Sequence, residues 1–215
     1  MLTRQDRTVP DCLDVLAEIA PLGLRHIGFK DVGVEPAMLR ELHSGIKALG
    51  ALSYLEVVAT SPEAALNSAR MGVALGVDRL MGGTLVAETL AILAGSAVEY
   101  YPFPGRPIGH PTLLGGDAAL IEADTARFVG MGCAGVDLLA YRSTEAEPLD
   151  LVRAAKRGCG TAGRLVCAGG VDSKARIAAL RAAGADGFTV GSAAFEGSFG
   201  PGELVVQLRE ILSCA

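Results

Sequence analysis

The chain has 215 residues, half of them hydrophobic and a fifth charged, with a formal net charge of −5 at pH 7. This acidic balance argues against nucleic acid or an anionic membrane as a partner, because both favour a basic footprint. We find no signal peptide and no apolar stretch long enough to span a membrane, and we expect a cytoplasmic location. Five scattered cysteines, without C-x-x-C or Cys/His spacing, predict neither a disulfide framework nor a metal site.

Short apolar runs alternate with helical segments along the whole chain. Strands are predicted over residues 2–4, 26–30, 52–58, 79–81, 98–102, 136–141, 165–168 and 187–190. Helices are predicted over residues 10–20, 35–49, 61–75, 85–94, 116–130, 148–158, 173–183 and 201–212. Eight βα units in strict alternation predict a parallel sheet that closes on itself. We therefore expect an α/β protein in which residues 1–215 form a single (β/α)8 TIM barrel domain.

A weak internal repeat supports this count. A glycine, an apolar residue and a polar residue precede each even-numbered strand, at Gly23-Leu24-Arg25, Gly76-Val77-Asp78, Gly135-Val136-Asp137 and Gly184-Ala185-Asp186. The glycine is expected to end a helix in the left-handed conformation. Asp78, Asp137 and Asp186 should then lie at strand starts, on the face of the barrel that serves stability. Seven residues after the glycines, Lys30, Gly83, Arg142 and Gly191 should lie on the opposite face, where barrel active sites lie.

Polar residues follow the first predicted strand as a dense cluster, Thr3-Arg4-Gln5-Asp6-Arg7-Thr8. Arg4, Asp6 and Arg7 are candidates for substrate contact, and a solvated loop is the alternative interpretation. In the second strand, alternation directs Ile27 and Phe29 to the outer helices and Lys30 into the barrel mouth.

A lysine in the barrel mouth can hold an anion, transfer a proton or form a Schiff base. Glu56 interrupts an apolar strand next to that of Lys30, and a charge in a buried strand requires a partner. Lys30 and Glu56 are therefore predicted to form an acid/base pair. A purely structural ion pair and a solvated lysine are the alternatives.

The segment 102–111 is too long and too rich in proline for a simple connector, and it is predicted to cover the barrel mouth as a lid that lines the pocket of Lys30. His110 within it is a candidate general acid or base, or else a residue that braces the loop. Arg142 is expected to end the sixth strand and to suit a phosphate or carboxylate, with an ion pair to Glu145 or Glu147 as the alternative.

The two last predicted strands both end in small residues, at Ala168-Gly169-Gly170-Val171 and Val190-Gly191-Ser192-Ala193. Loops after strands 7 and 8 form the phosphate site of many barrels. These motifs resemble the paired phosphate motifs of the ribulose-phosphate-binding barrel superfamily and are most similar to those of the histidine- and tryptophan-biosynthesis isomerases. The resemblance implies that Gly169, Gly170, Gly191 and Ser192 bind a substrate phosphate through backbone N–H groups and the Ser192 hydroxyl.

Three departures from that superfamily prevent the transfer of a named activity. The first strand lacks the cysteine of phosphoribosylanthranilate isomerase, and the third strand lacks the Asp-x-Lys-x-x-Asp pattern of the orotidine-monophosphate decarboxylase group. The sixth strand lacks the Schiff-base lysine of the keto-deoxy-phosphogluconate aldolases.

The sequence thus favours an isomerase or C–C lyase that acts on a small phosphorylated metabolite by proton transfer next to a carbonyl or imine. Lys30 and Glu56 would be the acid/base pair, supported by a polar wall of Arg4, Asp6, Arg142 and His110. Nothing in the sequence requires a nucleotide, a flavin, another cofactor or a metal, and a homo-oligomer is compatible with it. Two alternatives stay open, a Schiff-base aldolase that uses Lys30 and a non-catalytic phosphometabolite-binding barrel that regulates a partner.

Overall fold

The computed structural model of the protein describes residues 1–214 and consists of alternating strands and helices. The strands are β1 (Thr3–Arg4), β2 (Arg7–Thr8), β3 (His26–Lys30), β4 (Leu52–Val57), β5 (Arg79–Gly82), β6 (Glu99–Tyr101), β7 (Arg106–Ile108), β8 (Leu113–Gly115), β9 (Gly135–Leu138), β10 (Arg164–Cys167) and β11 (Gly187–Phe188). The helices are α1 (Cys12–Ile19), α2 (Pro36–Ala48), α3 (Pro62–Leu75), α4 (Val86–Leu93), α5 (Ala118–Gly130), α6 (Pro148–Cys159), α7 (Lys174–Ala183), α8 (Ser192–Phe195) and α9 (Leu204–Leu212). Short 3₁₀ helices occupy Ala20–Leu22 and Ala140–Arg142.

Eight strands form the barrel wall, namely β1, β3, β4, β5, β6, β9, β10 and β11. Parallel ladders run in the order β3-β4-β5-β6 and β11-β10-β9. Further backbone hydrogen bonds connect the two ladders on both sides, from Ala134 N to Tyr100 O (3.0 Å), Asp137 N to Pro102 O (3.0 Å), Leu2 N to Gly28 O (2.7 Å) and the Met1 amine to Val190 O (2.8 Å). The predicted (β/α)8 barrel is therefore confirmed.

Helix boundaries follow the capping signals in the sequence. The hydroxyls of Ser61 and Ser173 accept hydrogen bonds from backbone N–H groups in the first turns of α3 and α7, as N-cap residues do. Gly76 and Gly184 end the same two helices with φ of 73° and 100°. A residue with a Cβ adopts that conformation only at a cost, so the predicted role of these glycines is confirmed.

Strand alternation separates the core from the barrel interior. Ile27 and Phe29 on β3 and Leu55 on β4 are buried in the hydrophobic core. Lys30 and Glu56 on the same strands face the opposite way, into the barrel. The predicted orientation of these two strands is confirmed, because both are regular and paired without interruption.

Three predicted elements differ from the structure. The first strand is shorter than predicted and folds back into an antiparallel pair with β2. The predicted strand over residues 136–141 ends at Leu138, so Arg142 lies in a 3₁₀ helix rather than at a strand end. The predicted loop over residues 102–111 contains β7, which pairs with β8 as an antiparallel hairpin. In each case local pairing or a tight turn replaces the simple βα rhythm.

Candidate active site

A cavity of about 230 Å³ opens at the carboxyl ends of the barrel strands. Its wall is formed by the turn between β1 and β2, the ends of β3 and β4, Arg142, and the loops that follow β10 and β11. Barrel enzymes hold their active sites at this end. The cavity therefore brings together most of the residues that the sequence singled out.

Lys30 and Glu56 form a buried ion pair in this cavity. They occupy directly paired positions on β3 and β4, and Lys30 Nζ lies 3.1 Å from Glu56 Oε1. Their side chains are 6% and 3% exposed, respectively. The Thr8 hydroxyl accepts from Lys30 N and donates to Lys30 O, both at 2.8 Å, which fixes the backbone beneath the lysine.

Asp6 is the second carboxylate on Lys30. Its Oδ1 lies 2.8 Å from Lys30 Nζ, and Arg142 Nη2 donates to the same oxygen at 2.7 Å while Nη1 bonds to Oδ2. Burial raises the pKa of Asp6, but the hydrogen bonds and charges of Arg142 and Lys30 outweigh it and hold that pKa well below its usual range. Asp6 is therefore a carboxylate at any physiological pH.

An unusual turn aims Asp6 into the cavity. Gln5 and Asp6 have φ of 47° and 59°, and the pairing of Arg4 with Arg7 makes them the two central residues of a hairpin turn. Non-glycine residues adopt this left-handed region at some cost, and such positions are concentrated at functional sites. The contacts of Asp6 with two cations offset that cost.

Arg142 is held toward Asp6 and not toward the nearby glutamates. Besides Asp6 it contacts Thr112 O at 3.1 Å. Glu145 instead pairs with Arg106 at 2.7 Å, so the alternative ion pair of Arg142 with Glu145 is wrong. Neither is Glu147 among the ion-pair partners of Arg142 in residues 1–214.

The carboxylates of Glu56 and Asp6 also determine the protonation state of Lys30. Burial alone would lower the pKa of Lys30, but the negative charges of Glu56 and Asp6 outweigh burial and raise that pKa above its ordinary value. Lys30 is therefore an ammonium group in the resting protein.

The glycine loops form the opposite wall of the cavity. Gly169 and Gly170 have φ of 71° and 69°, and a Cβ on Gly169 would lie 2.3 Å from Arg142 Nε. A Cβ on Gly191 would lie 2.5 Å from Thr3 Oγ1. Within residues 1–214, the backbone N–H groups of all three glycines donate to no protein acceptor. These positions require glycine, and they leave N–H groups available to an anion.

Ser192 connects this wall to the turn that carries Asp6. Its hydroxyl oxygen accepts a hydrogen bond of 3.0 Å from Gln5 N. The hydroxyl hydrogen stays available for a ligand in the cavity, which Ser192 lines.

Asp137 is the residue that the sequence interpretation misplaced. It is fully buried, lies in the middle of β9 and has Glu56, Lys30, Arg142 and Asp6 as its charged neighbours. The predicted role at a strand start is therefore wrong for Asp137. Asp78 and Asp186 do play that role: each accepts a hydrogen bond from a backbone N–H of the preceding barrel strand and pairs with a lysine on a helix.

The start of β9 explains the error. The glycine repeat predicted a helix end at Gly135, but α5 ends at Gly130, Gly132 has the positive φ of 103°, and Gly135 is the first residue of β9. Alternation then directs Val136 and Leu138 to the core and Asp137 to the barrel interior. The sequence did contain a signal that Asp137 belongs to the site. Like Glu56, Asp137 is a charged residue that interrupts an apolar run.

Two predicted site residues lie outside the cavity. Arg4 is exposed, donates to Phe195 O at 3.0 Å and stacks over the Phe195 ring. His110 is exposed at the tip of the β7–β8 hairpin. Neither is part of the wall that holds Lys30.

The predicted lid is on the expected face but covers a different space. The segment 102–111 contributes Pro107 and Ile108 to a neighbouring cavity of about 180 Å³, not to the cavity of Lys30. Only Thr112, just beyond the segment, reaches the site, where its N–H donates to Asp6 Oδ2 at 3.1 Å. The prediction that this segment lines the pocket of Lys30 is wrong.

A larger cavity of about 490 Å³ lies at the opposite end of the barrel. Several polar side chains of its wall bond to one another or to Glu99: Arg79 Nε lies 2.7 Å and Tyr101 OH 2.9 Å from Glu99 Oε2, and His26 Nδ1 lies 2.7 Å from Tyr54 OH. Size alone would favour this cavity as the site of binding. Its polar side chains, however, already have hydrogen-bond partners within the protein, which is typical of residues that stabilise the fold. The cavity with Lys30 is the better candidate for chemistry.

Comparisons with known proteins support the fold. No protein-family model matches the chain, and no curated protein sequence matches it. Thiamine phosphate pyrophosphorylase from Pyrococcus furiosus is similar in structure, with a TM-score of 0.64, 14% identity, and coverage of 95% of this chain and 89% of that one. For 3-hexulose-6-phosphate synthase the TM-score is 0.64 at 14% identity, covering 96% of this chain and 94% of that one.

A structure of mandelate oxidase with a hydroxy-acid ligand is also similar, with a TM-score of 0.66, 13% identity, and coverage of 95% of this chain and 67% of that one. These similarities confirm the predicted barrel fold. Identities this low show the fold alone, and the three names differ in chemistry, so function must be argued from the site. None of the helices within residues 1–214 is both long and apolar enough to cross a membrane.

Proposed function

We propose that this protein is an enzyme that acts on a small phosphorylated metabolite. The observation that supports the proposal is that one cavity of about 230 Å³ contains both the Lys30–Glu56 pair and the glycine loops after β10 and β11. Two of the three structural neighbours above are named for phosphorylated compounds. A binding wall and a reactive pair at opposite sides of one cavity suit a substrate with a phosphate at one end.

In this proposal the phosphate binds to the glycine wall. The free N–H groups of Gly169, Gly170 and Gly191 and the hydroxyl of Ser192 donate to its oxygens. The two cations of the cavity are already neutralised by Asp6 and Glu56. Backbone donors therefore carry most of the phosphate recognition, as they do in other anion-binding loops.

The reacting end lies at the ion pair. The Glu56 carboxylate removes a proton from the carbon next to a substrate carbonyl, and the Lys30 ammonium stabilises the negative charge that develops on the carbonyl oxygen. For a substrate with a hydroxyl on the carbon that loses the proton, the hydroxyl proton moves to the former carbonyl oxygen, and return of the carbon-bound proton from Glu56 to the former carbonyl carbon completes an isomerisation. Cleavage of a C–C bond next to the carbonyl would use the same stabilisation of charge by Lys30.

The Schiff-base alternative is less well supported. An imine forms only from a neutral amine with a free lone pair. The raised pKa of Lys30, caused by Glu56 and Asp6, keeps this amine protonated. We therefore favour proton transfer, and borohydride treatment in the presence of substrate should not trap an adduct on Lys30.

Binding and catalysis are tested separately. Calorimetry with inorganic phosphate measures the anion site in the native protein and in Gly169→Ala, whose Cβ would collide with Arg142. Gly23→Ala is the matched control, because Gly23 also has a positive φ, 59°, but nothing lies within 4 Å of its Cβ position. Phosphate binding that is at least tenfold weaker in Gly169→Ala than in Gly23→Ala supports the site, and equal binding refutes it.

Turnover is tested with a panel of phosphorylated sugars and keto acids in deuterated water. NMR detects exchange of carbon-bound protons as well as new products. The proposal expects exchange that Lys30→Met reduces by about a hundredfold or more. Tight phosphate binding with no exchange or turnover for any compound would instead favour the regulatory, non-catalytic barrel.

A further inference from the structure

The buried carboxyl of Asp137 has no role in the function proposed so far. It is 0% exposed, and within residues 1–214 neither of its oxygens receives a hydrogen bond. Native proteins rarely leave buried polar groups unpaired, and an ionised carboxylate without partners is the most costly case. Such a group needs an explanation in terms of charge or catalysis.

The charges around Asp137 do not balance if every carboxyl is ionised. Three carboxyls, those of Asp6, Glu56 and Asp137, share two cations, Lys30 and Arg142. Within residues 1–214, the Met1 amine is the other basic group that lines the cavity, and burial lowers its pKa to about 6, which disfavours a third cation at neutral pH. One carboxyl is therefore in excess.

The contacts identify which carboxyl carries the excess proton. Asp6 bonds to both cations, and Glu56 Oε1 lies 3.1 Å from Lys30. The carboxyl group of Asp137 has neither an ion pair nor a hydrogen bond within the described residues. On β10, the strand beside it, the nearby titratable group is the Cys167 thiol, and burial keeps that thiol neutral by raising its pKa.

We infer that Asp137 holds a proton at neutral pH and acts as a positioning residue that keeps Glu56 as the basic carboxylate of a coupled pair. This inference deepens the function proposed above and, for its catalytic part, rests on it. Burial without a hydrogen bond and the negative charge of Glu56 both disfavour ionisation of Asp137, so the two carboxyls together hold one proton in the resting state. Glu56 is the member that pairs with Lys30 and lines the cavity, so the proton is assigned to Asp137.

The proton count stays balanced through a turnover. Glu56 takes one proton from the substrate carbon, and the pair then holds two protons and no charge. When Glu56 returns the proton, the pair again holds one. The proton on Asp137 does not leave, and no additional reactant is needed.

Burial and the charge of Glu56 raise the pKa of Asp137 well above its usual value, while Lys30 and Arg142 oppose that shift. The sign of the effect on stability follows. The folded state holds a proton that the unfolded state releases above about pH 4, so stability should fall as pH rises from there to the pKa of folded Asp137.

Infrared spectroscopy tests the proton without any substrate. The native spectrum minus that of Asp137→Asn at neutral pH should show the C=O band of a protonated carboxyl. The asparagine keeps the shape of Asp137 and is neutral, so the variant should fold, and its stability should fall less than that of the native protein as pH rises above about 4. A carboxylate band in the difference spectrum would overturn the inference, whether or not the protein binds phosphate.

A second variant tests the coupling if Asp137→Asn fails to fold. Glu56→Gln removes the neighbouring charge, so the Asp137 band should titrate at a lower pH than in the native protein. An unchanged titration midpoint would contradict a coupled pair. Once a substrate is known, Asp137→Asn should also move the alkaline limb of the pH–rate profile to higher pH, which a merely structural role would not do.

Discussion

Replacement of Lys30 with Met tests whether the buried cation is required for both stability and chemistry. Met has a similar length and no charge, so the variant changes electrostatics more than packing. The two partners of Lys30 respond differently. Asp6 keeps its contacts with Arg142, whereas Glu56, with a side chain that is 3% exposed, loses the cation 3.1 Å away.

The size of the loss follows from that asymmetry. Removal of one member of a buried ion pair costs about 3–5 kcal/mol, because the remaining charge is left uncompensated. Only one of two carboxylates is left alone here, so we expect about 3 kcal/mol at neutral pH. A second substitution, Glu56→Gln, should restore most of the lost free energy of unfolding. In the Lys30→Met, Glu56→Gln double variant, no unpaired charge remains at that position.

Urea unfolding at neutral pH measures the free energy of unfolding for the native protein, both single variants and the double variant. A double variant that is more stable than Lys30→Met alone indicates strong coupling between the two residues. Additive losses, or a loss below about 1 kcal/mol for Lys30→Met, would refute the reasoning, since that is the range of a solvated ion pair.

Other variants examine the remaining contacts. Asp6→Asn should reduce the loss of stability that the native protein suffers as pH falls below about 4, because the pKa of folded Asp6 is lowered; the lowered pKa values of Asp78 and Glu99 leave part of the loss in place, and thermal midpoints between about pH 6 and about pH 2 measure the difference. Gly135→Ala should cost about 3 kcal/mol in urea unfolding, because its Cβ would lie 1.8 Å from Arg164 O, whereas Gly130→Ala, with open space around it, should be neutral or stabilising. His110→Ala should change turnover by less than about twofold, because His110 is exposed outside the cavity.

The regular strands made part of the site predictable from the sequence. β3 and β4 pair without a bulge, so alternation alone placed Lys30 and Glu56 side by side. The glycines after β10 and β11 were predictable from the small-residue motifs at the ends of those strands. Their positions require a close approach of the backbone that only glycine allows.

The rest of the site depends on irregular backbone. Asp6 reaches Lys30 because two non-glycine residues adopt positive φ, and Arg142 reaches Asp6 from a 3₁₀ helix. Asp137 faces the cluster because β9 begins at Gly135, earlier than the glycine repeat predicted. Periodicity does not predict the turn or the 3₁₀ helix, since both break the period, and it does not fix the residue at which a strand begins.

These irregular contacts give the site its internal geometry. Lys30 and Arg142 come from elements 112 residues apart in the chain, yet both bond to the single carboxylate of Asp6. Gln5, the neighbour of Asp6 in the same two-residue turn, bonds to Ser192 on the phosphate wall. One turn near the amino terminus thus connects the proposed binding end of the cavity to its proposed reacting end. Because that turn contacts both walls, the separation between a bound phosphate and the Lys30–Glu56 pair depends on it, and proton transfer requires that separation to be held closely.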